Sequence, residues 1–66
     1  MTERTVKMLY KKMHEDENER IVDVFFYGRK NEYVAITTIS KNHVIWRNEY
    51  KIKDKSLSFI DTKVLV

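Results

Sequence analysis

Histidine, serine and acidic side chains are the usual components of a catalytic site, and here they form no recognisable arrangement. His43 follows a predicted turn and could act as a general base, but its polar neighbours Ser40 and Asn42 are turn residues. The sequence shows no nucleophile with an adjacent base and an orienting third group. Cysteine is absent, which excludes disulfides and thiolate zinc sites. We therefore predict a protein that is not an enzyme and that holds no metal or cofactor.

Acidic residues are concentrated in residues 14–19, HEDENE, which contain four acids and no lysine or arginine. A calcium loop of the EF-hand type needs a longer alternating pattern with glycine at its sixth position, so we predict an exposed turn. His14 lies among these acids, which suits a pH-sensitive surface contact. The other 60 residues contain all 13 bases and 6 of the 10 acids, a net charge of +7. Such a basic body suits a polyanionic partner, or a lysine-rich surface that keeps sheet edges unpaired.

Aromatic and basic residues are interleaved in two stretches, which form the main candidate for a binding surface. Sheets that bind single-stranded nucleic acid stack bases on aromatic rings and track phosphates with cations. The same aromatic residues could instead form the core of a protein too small to have another, and the lysines could protect a sheet edge. The candidate partner-binding residues are Tyr27, Arg29, Lys30, Tyr33, Trp46, Arg47, Tyr50, Lys51 and Lys53.

These residues belong to a predicted antiparallel sheet. Residues 20–27, 32–40 and 43–50 are rich in β-branched and aromatic side chains, which is typical of strands. Residues 28–31 and 41–42 are the predicted turns, and Gly28 and Asn31 tolerate positive φ. Residues 57–60 form a further short strand that Asp61 and Thr62 end. The apolar tail at 64–66 is expected to pair with a strand of this chain or of a second one.

Residues 3–13 fit two structures. Val6, Leu9, Tyr10 and Met13 recur at helical spacing, with Thr2 in the capping position. The segment could instead be a first strand, because the strands that follow need neighbours and sequential strands usually pair. That argument slightly favours a strand. The predicted fold is mainly β, a single antiparallel sheet of four to five strands, meandering and curved or barrel-like, with one short N-terminal helix if residues 3–13 are helical.

The predicted loop lengths define a register for the sheet. A two-residue loop at 41–42 pairs Ile39 with Val44, and a four-residue loop at 28–31 pairs Phe26 with Tyr33. One face then carries Val22, Val24, Phe26, Tyr33, Ala35, Ile39, Val44, Trp46 and Tyr50. The opposite face carries Ile21, Asp23, Phe25, Val34, Ile36, Thr38, Ile45, Arg47 and Glu49. A slip of one residue would reverse these assignments.

The length and strand order resemble those of Sm-like RNA-binding proteins, in which an N-terminal helix precedes five strands. The resemblance implies a small barrel with residues 3–13 as its helix. The glycine and Asp/Asn signatures of those strands are missing here, where Gly28 is the single glycine. The resemblance therefore implies no site residues.

The length of the chain limits the number of domains that it can form. With 66 residues it is predicted to be one domain, residues 1–66, that buries only about 60% of its unfolded surface. Further stability is expected from a well-packed sheet or from a second copy, with monomer and homodimer equally supported. No apolar run approaches membrane-spanning length, and the N-terminus lacks the apolar region of a signal peptide. These features and the missing cysteine favour the cytoplasm.

No motif in the sequence defines a function. A short sheet can accept an added strand or present an aromatic face, while a single sheet offers little concavity for a small-molecule substrate. We therefore predict a non-enzymatic interaction protein, a regulator, adaptor or inhibitor, that binds a protein partner or itself through a sheet face or edge. Single-stranded nucleic acid is the alternative partner. An exposed Trp46 and salt-dependent binding would favour nucleic acid, whereas a buried Trp46 and oligomers would favour protein.

Overall fold

A computed structural model describes residues 1–15 and 18–65 of the chain. One helix precedes four strands, with the bounds α1 (Glu3–Met13), β1 (Glu19–Tyr27), β2 (Tyr33–Ser40), β3 (Ile45–Lys53) and β4 (Ser56–Val64). The strands form one antiparallel sheet in the order β1-β2-β3-β4. β1 and β4 are its two edges, so the sheet is open and the barrel that the Sm-like resemblance implied is not formed.

The predicted fold class is confirmed, in its version with four strands and an N-terminal helix. Residues 3–13 are helical, so the interpretation of this segment as a first strand is wrong. The segment forms a helix because Val6 and Tyr10, four residues apart, then lie on one side of it, where both are buried against the sheet. Thr2 caps the helix as expected, since its hydroxyl accepts a hydrogen bond from the Thr5 N–H at 3.2 Å.

β4 is longer than the short strand predicted at 57–60. It continues through Asp61 and Thr62 to Val64, with a one-residue bulge at Ile60. The Leu65 N–H then donates to the Ile45 carbonyl at 2.8 Å, so the described part of the apolar tail pairs within this chain. Val66 of that tail and Asp16 and Glu17 of the predicted acidic turn lie outside the described residues.

Both predicted hairpin registers are wrong by one residue. The Ser40 N–H donates to the Val44 carbonyl at 2.9 Å, so the β2–β3 loop has three residues rather than two. His43 closes it with φ of 62°, the left-handed conformation typical of the third position in such loops. The β1–β2 loop has five residues rather than four, because Tyr27 pairs with Tyr33.

Each shift displaces β2 by one residue relative to a neighbouring strand, whereas β1 and β3 keep their predicted positions relative to each other. The two shifts therefore reverse the predicted faces of β2 but not those of β1 and β3. Phe26 and Tyr50 still lie in one row of the sheet, as predicted, but Val34 and not Tyr33 lies between them. β2 therefore turns Val34, Ile36 and Thr38 towards α1. Irregular pairing around Val22 in β1 also brings Ile21 to that side.

The core lies between α1 and this side of the sheet. Val6, Val34 and Ile36 are fully buried, and the rings of Tyr10 and Tyr50 meet edge to face with centroids 6.0 Å apart. Partly buried apolar residues surround them: Ile21, Val24, Phe26, Ile52 and Leu57. α1 is the only described element that covers the sheet, so the opposite side, here called the open face, has no covering element among the described residues.

Candidate interaction surface on the open face

Three aromatic rings form a stack on the open face, here called the aromatic row: Phe25, Tyr27 and Tyr33. Phe25 and Tyr27 alternate along β1, and Tyr27 pairs directly with Tyr33 on β2. The Phe25 and Tyr27 rings lie 6.2 Å apart at 12°, and the Tyr27 and Tyr33 rings lie 5.3 Å apart at 19°. Phe25 is 55% exposed. Tyr27 and Tyr33 are half-buried, so the row is an ordered aromatic surface that the chain covers only in part.

Polar contacts fix the row in place. The Tyr27 hydroxyl donates to a Glu49 carboxylate oxygen at 2.8 Å, and Lys51 Nζ lies 5.9 Å from the centroid of the Tyr33 ring. Loss of hydration and the hydrogen bond to Glu49 raise the pKa of Tyr27 above its usual value. Tyr27 therefore stays neutral and keeps donating at physiological pH.

Basic residues surround the end of the sheet where the aromatic row lies. The β1–β2 turn carries Arg29 and Lys30, and β3 ends at Lys51 and Lys53 beside it. The acid Glu32 lies in the same region, and its carboxylate accepts a hydrogen bond from the Lys30 backbone N–H at 2.7 Å. This contact, with the nearby cations, lowers the pKa of Glu32. The predicted residues of this end of the sheet thus form one surface: Tyr27, Arg29, Lys30, Tyr33, Lys51 and Lys53.

Two predicted binding residues, Trp46 and Tyr50, lie on the helix side of the sheet. Tyr50 is 2% exposed and belongs to the core, and Trp46 is half-buried beyond the end of α1. Arg47 lies on the open face, in the middle of β3, and is half-buried. The aromatic residues of β3 therefore lie on the opposite face from the aromatic row. The predicted register had placed Tyr33 on the same face as Trp46 and Tyr50, and this is wrong.

Phe25 was not among the predicted partner-binding residues, although it is the most exposed ring of the aromatic row. The sequence contains a signal for it, because its alternation with Tyr27 places the two side chains on one face of β1. The predicted pairing of Phe26 with Tyr33 hid that signal, since it put Tyr33 on the other face.

A second cluster of polar side chains lies on the helix side, near the C-terminal end of α1. Glu19 accepts hydrogen bonds from the Tyr10 hydroxyl and, at 3.3 Å, from Thr38 Oγ1. Asn48 Nδ2 donates to the Tyr10 hydroxyl at 3.2 Å. Burial, followed by the contact with Glu19, raises the pKa of Tyr10 far above its usual value. These groups satisfy one another, so the cluster holds α1 on the sheet and we do not treat it as a ligand site.

Among the described residues, no three histidine, cysteine, aspartate or glutamate side chains are placed to hold a metal ion together. The helix that the structure describes is too short and too polar to cross a membrane. Comparisons with protein-family models, curated proteins and solved structures gave no match. The proposals below therefore depend on the residues of this chain alone.

Proposed function

We propose that this chain is a small non-enzymatic interaction protein, a regulator, adaptor or inhibitor, that binds a protein partner through its open face. The aromatic row is the observation that carries the proposal. A small protein has few apolar side chains with which to build a core, and this chain places a stacked group of them on the uncovered side of its sheet, with Phe25 exposed and Tyr27 and Tyr33 half-buried. An ordered exposed apolar surface is typical of a binding site. The missing cysteine supports a cytoplasmic location.

The arrangement of the rings favours protein over nucleic acid as the partner. A base needs a free ring face on which to stack. Here Tyr27 lies between the rings of Phe25 and Tyr33, and Lys51 lies over Tyr33. Tyr27 and Tyr33 therefore offer less free ring surface to a base than isolated rings would, whereas aliphatic and aromatic side chains of a protein can pack against any part of the row.

The charges around the row define the chemistry of the partner surface. Arg29, Lys30, Lys51 and Lys53 surround Tyr27 and Tyr33 at one end of the sheet. A partner with an apolar centre and an acidic rim would match both parts of this surface, because complementary charges steer association and fix orientation.

Affinity capture from extracts of the source cell tests the proposal with a matched pair of variants. Phe25→Glu places a charge on the aromatic row, and Met8→Glu places one on the outer side of α1, where Met8 is 66% exposed. We expect a discrete protein to be captured by the unmodified chain and by Met8→Glu, and lost with Phe25→Glu. Amide NMR spectra check that both variants fold. Equal capture by both variants would exclude the aromatic row as the binding site.

Single-stranded nucleic acid is the second candidate partner, favoured by the cations that β3 carries on the open face. These are Arg47, Lys51 and Lys53, which lie on one face of the strand with Glu49 between Arg47 and Lys51. An amide NMR titration with mixed-sequence single-stranded oligonucleotides, at low and at physiological salt, separates the two candidates. Shifts at residues 25–33 and 47–53 that weaken with salt and disappear in Lys51→Glu/Lys53→Glu would favour nucleic acid. A flat titration at both salt concentrations agrees with the protein partner.

A further inference from the structure

The outer edge of β4 pairs with no other described strand, and its protection is limited to the charges of Asp61 and Lys63 and to the bulge at Ile60. Phe59, Ile60 and Val64 are 60%, 47% and 56% exposed, and Leu65 just beyond the strand is 50% exposed. Sheet edges are normally protected by proline, by inward-pointing charges or by a covering segment, because their unpaired backbone groups bind further strands. No other described element pairs with this edge.

Backbone geometry shows which groups of β4 are available. The Leu65 N–H points to β3, where it donates to Ile45 at 2.8 Å. In an antiparallel ladder successive residues point their N–H and C=O groups to opposite sides, so those of Asp61 and Lys63 also point to β3. Thr62 and Val64 therefore direct their backbone groups outwards, away from the sheet.

Like charges lie opposite each other on β3 and β4. Arg47 pairs directly with Lys63, and Glu49 pairs directly with Asp61. Like charges opposite each other on neighbouring strands are destabilising. A diagonal contact between Lys63 Nζ and a Glu49 carboxylate oxygen, at 4.0 Å, relieves this only in part. The open face thus has one row with two adjacent cations and a neighbouring row with two adjacent anions.

We propose that two copies of this chain pair through β4, antiparallel and with Thr62 opposite Thr62 of the second copy. This register places Asp61 opposite Lys63 of the other copy, twice, so each row of the open face then carries two cations followed by two anions. A two-fold axis beside Asp61 would place the two copies of Asp61 opposite each other, and one beside Lys63 would place the two copies of Lys63 opposite each other. Both arrangements are unfavourable because the facing charges are alike. The same register sets Thr62, whose backbone groups point outwards, in a hydrogen-bonded pair.

The resulting dimer is closed and leaves the open face accessible. A two-fold axis perpendicular to the sheet makes one eight-stranded sheet with both copies of α1 on the same side. The inference concerns the edge of β4 and does not depend on the proposed function, whose surface lies nearer β1 and β2. Loss of dimerisation would leave capture through Phe25 unchanged.

Two single charge reversals and their mixture test the register. Asp61→Lys opposes two cations across the dimer, and Lys63→Asp opposes two anions, so we expect each alone to weaken dimerisation at least tenfold. Within one chain each variant replaces a like-charged pair by an opposite one, with Glu49 or with Arg47, while Lys63→Asp also removes the contact with Glu49, so both should still fold. Amide NMR spectra check this.

The mixture of the two variants distinguishes the proposed register from other modes of association. The two lysines at positions 61 and 63 of an Asp61→Lys chain then lie opposite the two aspartates at positions 63 and 61 of a Lys63→Asp chain, so the mixture should dimerise more tightly than either component alone. Sedimentation velocity over a concentration series measures the mass, with a dimer at twice 8.0 kDa. A monomeric unmodified chain throughout the series would overturn the proposal, as would single variants that dimerise as tightly as the unmodified chain or a mixture that dimerises no more tightly than its components.

Discussion

At the scale of single residues, the β1–β2 turn depends on Gly28. Gly28 adopts φ of +94°, which a residue with a side chain rarely does. A Cβ added there would lie 2.8 Å from Tyr33 Cδ2 and 2.9 Å from the Glu32 carboxylate carbon. The glycine thus has two roles, since it permits the turn and leaves room for a ring of the aromatic row.

Gly28→Ala should destabilise the fold by roughly 1–3 kcal/mol through backbone strain and the displacement of Tyr33. Urea unfolding measures the loss. Arg29→Ala is the matched control in the same turn, because Arg29 is exposed, and its effect should stay within about 0.5 kcal/mol. Equal stability of Gly28→Ala and the unmodified chain would contradict the geometry described for this turn.

Glu32 gives the same turn a pH dependence. The hydrogen bond from the Lys30 N–H lowers the pKa of Glu32 in the folded chain relative to the unfolded chain. Stabilisation by the carboxylate is therefore complete at neutral pH, and it is lost as the pH falls from the ordinary range of a glutamate through the lower folded-state value. The side-chain carboxyl shift of Glu32 in an NMR pH titration measures this directly, and we expect a midpoint below that of an exposed glutamate. A midpoint at or above the ordinary value would disagree with the contact.

At the scale of secondary-structure elements, α1 is held by a narrow apolar stripe and by the polar cluster at its C-terminal end. Val6 is fully buried and Tyr10 is 2% exposed, whereas Met8 and Met13 face outwards. A helix of 11 residues is marginal in isolation, so its stability here comes from docking on the sheet.

Val6→Ala should therefore cost about 2 kcal/mol, because it removes buried methyl groups and leaves space between α1 and the sheet. Met8→Ala, on the exposed side of the same helix, should change stability by less than about 0.5 kcal/mol. Chemical denaturation followed by the fluorescence of Trp46 reports both. Similar losses for the two variants would mean that α1 does not dock through the stripe described.

The elements were predictable from the sequence to different degrees. Alternation of β-branched and aromatic residues was sufficient to predict β1, β2 and β3 and the antiparallel meander. The preference for a strand at residues 3–13 was wrong because it relied on the general tendency of strands to pair, whereas the spacing of Val6 and Tyr10 carried the specific information. The register failed because loop length depends on which residue adopts positive φ, and the identity of His43 is a weak sign, since histidine adopts positive φ far less readily than glycine.

This error in register limited what the sequence could say about the site. A one-residue slip exchanges the faces of a strand, so Tyr33 was grouped with Trp46 and Tyr50 and not with Phe25. The basic residues at the end of the sheet were less affected, because turns bring Arg29, Lys30, Lys51 and Lys53 together whichever way the strands face.

At the scale of the whole molecule, the chain has two unlike ends and two unlike faces. The aromatic row and its basic residues lie at the end of the sheet with the β1–β2 and β3–β4 turns, and the acidic residues Glu15 and Glu19 lie at the other end, after α1. One face of the sheet is covered by α1 and the other is open. An acidic partner of the proposed kind would be oriented by this asymmetry towards the aromatic row.

Photo-crosslinking at position 25 tests whether the open face contacts a protein partner. A photoreactive phenylalanine analogue replaces Phe25 in one sample and Met8 in another, and both are irradiated in extracts of the source cell. We expect a discrete protein adduct from position 25 that is absent from position 8 and that decreases when Lys51→Glu/Lys53→Glu is added. No protein adduct at position 25, or the same adducts at both positions, would contradict the claim that the open face binds a protein partner.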